Sequence, residues 1–470
     1  AHNIILMQRW KYMKKNLSIK PGGPIQIFNN GGTSSLPIID RAQGIYMWDT
    51  KGKKYFDGSS GPVTTNLGHG NKRVIEAMAD QAQRVCFASV AVFENSPNKR
   101  LAEKLVKLSG PGFDQAFIVS GGSEATESAI KLARQYAVAK GENKRTKVLG
   151  RNPSYHGSTL GAFLVSGDPV AEKMFGSIAK VMPKVPTPFS YRLPKNHDKN
   201  SYARECAKKL EDVILAEGAE NVLAFILETV GGLSSGGLVA PDHYYEAIRE
   251  ICTRYGVLLI YDDVMAGAGR TGKFLSADHW PNARPDLVTL AKGVAAGYTP
   301  IGAVMAPNEI VSAVVEAGGF QHGHTYAANP LSCAIGDAVI TEMVENDLMD
   351  NASEMGSYLK LKLKELADES CIIGDIRGKG LLLAAELVAI KETKEMLPIK
   401  CRAVYRFVEI GVENGLLLYT RKTADGVFGE WVMISPALTI NKREVDELLY
   451  LLRLTVRQFE KELRSQKFIP

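Results

Sequence analysis

The sequence holds no Cys-x-x-Cys pair. Its six cysteines (Cys86, Cys206, Cys252, Cys333, Cys371, Cys401) are scattered, which excludes a disulfide framework and points to a reducing compartment, so a cytoplasmic protein is expected. Long apolar runs are missing too: nothing approaches the ~20 residues of a membrane helix. Ile4-Ile5-Leu6-Met7 is too short for the core of a secretion signal. Charge of one sign is not in excess. The net value is +6 in 470 residues, with no concentrated basic run, so no nucleic-acid partner is expected. The most basic stretch, Arg9, Lys11, Lys14 and Lys15, reads as a solvated or subunit-packing arm. Repeats and low-complexity linkers are absent. His322 and His324 stand without nearby carboxylates or cysteines, so no metal is expected.

What is present is alternation. Short apolar runs at 116–119, 223–227, 257–261 and 286–291 are separated by helix-like segments, such as the one from Ser123 to Ala139. Continuous apolar strands signal a mostly parallel sheet covered on both faces, an α/β fold. Beyond about residue 330 the pattern becomes long amphipathic helices with a few strands, at 380–387 and 431–434. This predicts a smaller α+β domain. Strand and turn signals at 44–49 and 54–57 are expected to pack with it. The resulting division is 1–70 as an N-terminal segment, 71–330 as the large domain and 331–470 as the small one.

In open α/β sheets, ligands bind beyond the carboxyl ends of the strands. Three such ends carry chemistry, and we read them as neighbours. The first is Ser120-Gly121-Gly122-Ser123, a glycine turn opening a helix, whose free N–H groups suit an anion. Alone it is equally a plain helix cap. The second is Asp262-Asp263, where a carboxylate ending an apolar strand needs a partner. A protonated pyridine nitrogen would serve; helix capping or a metal are the alternatives. The third is Lys292, flanked by Ala291 and Gly293. Desolvation there lowers a lysine's pKa and makes it a nucleophile for carbonyls. A lone lysine in that place is more often a snorkelling surface residue.

The segment IYDDVMAGAGRTG at 260–272, followed by TLAKG at 289–293, resembles the signature of the class III (omega) aminotransferases, within the fold type I group of pyridoxal-phosphate enzymes. SGGSEA at 120–125, YHG at 155–157, NLGH at 66–69 and HTYA at 324–327 fit the same pattern. The resemblance runs from about residue 25 to the C-terminus. It implies pyridoxal 5'-phosphate held as a Schiff base on Lys292, with Asp262 on the pyridine nitrogen. Val264 and Tyr155 would face the ring, with His156 beside them, and Gly122 and Ser123 would hold the phosphate. Thr325 would reach the neighbouring subunit's phosphate, implying a homodimer with shared active sites, or a tetramer of such dimers. The implied reaction is a ping-pong transfer from an amine or ω-amino acid to pyruvate or 2-oxoglutarate. An epimerase or aminomutase on the same scaffold is the alternative, and stoichiometric consumption of a keto acid separates them.

Three positions depart from the family pattern. Asp263 stands where Glu is usual, Met265 where many relatives have Gln, and Thr229 where Pro is usual. For the substrate pocket the resemblance suggests Phe28, Val63 and Tyr155. Arg421 is the candidate for a substrate carboxylate, because Arg suits planar bidentate recognition.

Overall fold

The computed structural model describes residues 36–421 and 426–469. The basic arm at 9–15 and Phe28 lie outside the described residues. Fourteen strands are present among the described residues: β1 (Ile39–Gln43), β2 (Tyr46–Asp49), β3 (Lys54–Asp57), β4 (Gln115–Val119), β5 (Lys147–Asn152), β6 (Lys184–Pro186), β7 (Val222–Leu227), β8 (Leu258–Asp262), β9 (Leu287–Leu290), β10 (Gly302–Ala306), β11 (Ile373–Lys379), β12 (Leu382–Leu387), β13 (Leu416–Leu417) and β14 (Glu430–Ile434).

The central sheet has seven strands in the order β4-β10-β9-β8-β7-β5-β6. β10 is antiparallel to both of its neighbours; the other pairings are parallel. Side chains alternate between faces along a strand. Accordingly Ala224, Ile226, Ile260 and Leu287 join one apolar cluster, together with Ala125, Ala129 and Ala133 of the helix Gly122–Ala139. Phe225, Leu227, Leu259, Tyr261 and Val288 join the cluster on the other face. With both faces covered, these strands have no polar side to show, which is why they are legible as apolar runs.

Two smaller sheets, β1-β2-β3-β13 and β11-β12-β14, stand beside the long helices Leu348–Glu369 and Lys442–Ser465. In the first, Phe56 of β3 pairs with Leu416 of β13, so strands from both ends of the chain share one sheet. Tyr46 Oη donates to Glu447 Oε2 at 2.5 Å and ties that sheet to the last helix. Among the described residues no helix is long and apolar enough to cross a membrane.

The structure corrects one expectation. The ends of β8 and β9 are adjacent, but the glycine turn after β4 is not next to them, because β10 lies between. Since β10 is antiparallel, β4 and β9 run the same way and their carboxyl ends share one edge. Gly302 permits this: a Cβ there would sit 2.3 Å from Gly121 O.

Candidate active site

Lys292 follows β9 directly and begins a short 3-10 turn, Lys292–Val294. Its φ is +41°, a left-handed conformation rare for residues with a Cβ and a frequent sign of a functional position. Nζ donates to the carbonyl of Pro62 at 2.6 Å. Burial lowers its pKa from 10.5 to about 8, partly opposed by the carboxylates of Asp262 and Glu228, while Arg270 pushes it down further. A lysine so placed is largely protonated at neutral pH but within reach of its nucleophilic form.

Asp262 ends β8 and is buried, with 4% exposure. One oxygen accepts the N–H of Val264 at 3.0 Å, and the other lies 2.7 Å from Nδ1 of buried His156. Nε2 of His156 has no hydrogen-bond partner among the described residues. The histidine thus fixes the carboxylate's orientation while the carboxylate keeps lone pairs for a further donor.

Across the cavity, the helix Gly122–Ala139 begins without a side-chain cap. The first amides of an α-helix have no intrahelical acceptor, so this end attracts an anion. Ser123 Oγ, which accepts the N–H of Ser158 at 3.0 Å, stands beside it. A Cβ on Gly122 would meet Val264 Cγ1 at 2.8 Å, and one on Gly157 would meet Ser123 Oγ at 2.7 Å. Both glycines therefore keep a narrow space clear between the helix start, Val264 and Ser123.

These features belong to one cavity of about 1620 Å³. It is lined by Gly122, Ser123, Tyr155, His156, Asp262, Val264, Lys292 and Arg421, among the predicted residues. Tyr155 is 39% exposed and thus a wall residue rather than a core aromatic. Its ring lies 5.4 Å from the Arg421 guanidinium. Arg421 also pairs with Asp168. Val63 is 1% exposed within the apolar core and is not a wall residue; its neighbour Thr64 is. Thr325 is exposed and lies outside the cavity of its own chain.

Two acidic wall residues were given no role by the sequence. Glu228 follows β7 and is buried; it accepts Ser234 Oγ at 2.7 Å, Gly232 N–H at 3.0 Å and Tyr155 N–H at 3.2 Å. Asp168 caps the helix Pro169–Phe175. A single glutamate after a strand carries no periodic signal, whereas the Asp-Pro step at 168–169 does announce a helix start.

The three departures fall into place differently. Met265 lines the cavity. Asp263 points away from it, and both of its oxygens accept from Ser276, through the backbone N–H at 2.6 Å and through Oγ. Ser276 Oγ in turn contacts Thr229 Oγ1. Two of the unusual residues are thus joined through one serine behind Asp262. Burial, with the neighbouring Asp262 adding to it, raises the Asp263 carboxyl to about 7. Arg270 is fully buried and works as a structural clamp, donating to Asn66 Oδ1 at 2.6 Å, to Ser60 Oγ, and to the carbonyls of Leu381, Ser435 and Pro436. Among the described residues no group of three metal-ligating side chains occurs.

The site therefore offers a desolvated lysine, an oriented carboxylate and an anion-binding helix end around a slot with room for a flat ring. Comparison with known proteins bears on what fills it. A sequence profile described as Aminotransferase class-III matches residues 27–456. An uncharacterised aminotransferase of Bacillus subtilis is 36% identical over 436 residues, covering 92% of this chain and 98% of its own. The putrescine–pyruvate aminotransferase of Pseudomonas aeruginosa is 31% identical over 458 residues, covering 96% of each. A crystal structure of the omega transaminase from Pseudomonas jessenii in complex with PMP superposes with a TM-score of 0.87 at 27% identity, covering 94% of this chain and 97% of that one.

Proposed function

This chain belongs to the class III aminotransferase family, and we propose that it transfers an amino group from an amine or ω-amino acid to pyruvate or 2-oxoglutarate with pyridoxal 5'-phosphate. The observation that carries this reading is the placement of Lys292 and Asp262 at the ends of adjacent parallel strands, in one cavity with the start of the helix Gly122–Ala139. The residues fit the cofactor. Gly122 and Ser123 would hold its phosphate at the helix N-terminus, and Val264 and Tyr155 would face its ring. Asp262, oriented by His156, would receive the pyridine N–H.

When bound, pyridoxal phosphate supplies an electron sink for the electron pair released as the donor's C–H bond breaks. The protein supplies the proton movements. Lys292 Nζ would hold the cofactor's carbonyl carbon. Once freed, the same nitrogen would take up the proton from the carbon next to the donor nitrogen and deliver it to the carbon that it had held, acting as nucleophile first and acid/base afterwards. Asp262 would keep the pyridine nitrogen cationic. Arg421 would receive a substrate carboxylate.

Thr325, exposed and outside its own cavity, would contact the phosphate of a second copy, which makes the enzyme a homodimer with shared sites. We assign residues 71–330 to cofactor binding and 331–470 to the smaller domain, and read the protein as cytoplasmic from its unpaired cysteines.

Purified enzyme should carry a visible absorbance band that borohydride abolishes. Lys292→Ala should lose the reducible band, and its turnover should fall by roughly 10²- to 10⁴-fold or more, the usual worth of a positioned acid/base. A reducible band surviving in Lys292→Ala at the same site would sink the assignment. Racemised product with no keto acid consumed would replace it with the epimerase reading.

A further inference from the structure

We propose that Asp168 is a specificity-determining residue, whose fixed carboxylate competes with the carboxylates of substrates for Arg421. The inference rests on the reading of Arg421 given above, and the experiment separates the two.

Among the described residues three cations line the cavity: Lys292, Arg402 and Arg421. Lys292 is held on the Pro62 carbonyl, and Arg402 Nη2 lies 3.2 Å from Glu409 Oε1. Arg421 is paired with Asp168. The two members of this last pair are held unequally. Asp168 is 5% exposed, and its Oδ1 accepts the N–H groups of Val170 at 3.1 Å and Ala171 at 3.2 Å. Those bonds do not involve Arg421, so the carboxylate keeps two donors when the guanidinium leaves. The Arg421 side chain is 44% exposed, and among the described residues it otherwise rests against the open face of Tyr155.

The carboxylate is therefore the fixed member and the guanidinium the movable one. While paired, Arg421 presents little net charge to the cavity. A substrate bearing a carboxylate must draw it off Asp168, and an uncharged carbonyl substrate need not. The penalty thus falls on one substrate class. Asp168→Asn removes it while leaving an oxygen to accept the helix amides.

The test compares KM for pyruvate with KM for butanal, an acceptor without a carboxylate, using one amine donor and the holoenzyme. In Asp168→Asn the ratio of pyruvate KM to butanal KM should fall roughly fivefold, the scale of a partly exposed ion pair. Asp168→Ser, which also caps helices, should shift the ratio the same way if Asn perturbs folding. Arg421→Met should raise the ratio, and adding Asp168→Asn to it should change nothing more, because the competition needs both partners. An unchanged ratio in both Asp168 variants, with Arg421→Met still raising it, overturns the proposal alone. An equal shift in the Arg421→Met background overturns it in favour of a general field effect. No effect of Arg421→Met overturns the reading of Arg421 itself, and this inference with it.

Discussion

Lys292 and Asp263 are penalised by burial in opposite directions, to about 8 and about 7. Between about 8 and 10.5 the unfolded chain holds a proton that folded Lys292 has lost, so its destabilising effect is full below 8 and fades as pH rises. Between 3.8 and about 7 folded Asp263 holds a proton that the unfolded chain has lost, so its effect is full above 7 and fades as pH falls. Both penalties are present together between pH 7 and 8. Lys292→Met should raise the Tm of the cofactor-free enzyme in that range, and the gain should shrink toward pH 10.5. A gain independent of pH would show that packing rather than charge is responsible. The same titration predicts that apoenzyme captures cofactor faster as pH rises through about 8, followed by absorbance. At Asp262 the expected loss is of another kind. Asp262→Asn should bind cofactor yet lose roughly 10²- to 10³-fold in kcat, the scale of removing one preorganised electrostatic group.

At the scale of elements, the site is a set of strand ends held at fixed spacing, and glycine decides how closely they approach. A methyl group on Gly122 meets Val264 at 2.8 Å, and the stiff β-branched valine has little room to turn. Gly122→Ala should weaken cofactor retention by about 1–3 kcal/mol, the usual scale of overpacking. Dialysis against cofactor-free buffer would measure it. The elements legible in the sequence are those with a single clear signal. The runs giving β4, β7, β8 and β9 are almost wholly apolar, so they and the residues that follow them were readable to within a residue or two. Within the central sheet, β5 and β10 were masked for physical reasons. β5 carries Arg151, which the fold buries at 2% exposure. β10, Gly-Ala-Val-Met-Ala, is built of mostly small residues that look like a loop. Missing β10 also hid the strand between the phosphate-binding turn and Lys292. Asp168 and Arg421 meet across 253 positions of sequence, and no local pattern announces such a pair.

Across the whole molecule, Arg270 gathers distant parts of the chain. It reaches Ser60 and Asn66 near the start, Leu381 at the head of β12 and Ser435-Pro436 after β14, all from the loop that leaves β8. Its burial lowers its pKa to about 9 against the pull of Asp57. Removing it strands several buried carbonyls and takes a cation away from the buried Asp57, which keeps the N–H groups of Ser59 and Gly61. Arg270→Met should destabilise by about 3–5 kcal/mol, as breaking a buried charged network does. Arg270→Lys should rescue little, since an ammonium cannot span the same acceptors. Chemical denaturation of the apoenzyme would measure both.

The antiparallel strand β10 has a consequence in time as well as space. Before residue 302 emerges from the ribosome, β4 has no neighbour, because β10 is its sole pairing partner in the sheet. At synthesis rates of about 5–20 residues per second, the chain from 119 to 302 takes roughly 10 to 40 seconds to appear. Throughout that interval the strand that leads into the glycine turn has no edge to pair with, although the helix after it can already pack on β7, β8 and β9. The strand that carries the phosphate-binding turn is thus among the first parts made and among the last to be paired, and a nascent chain arrested before β10 should retain cofactor poorly even though Lys292 and Asp262 are already present.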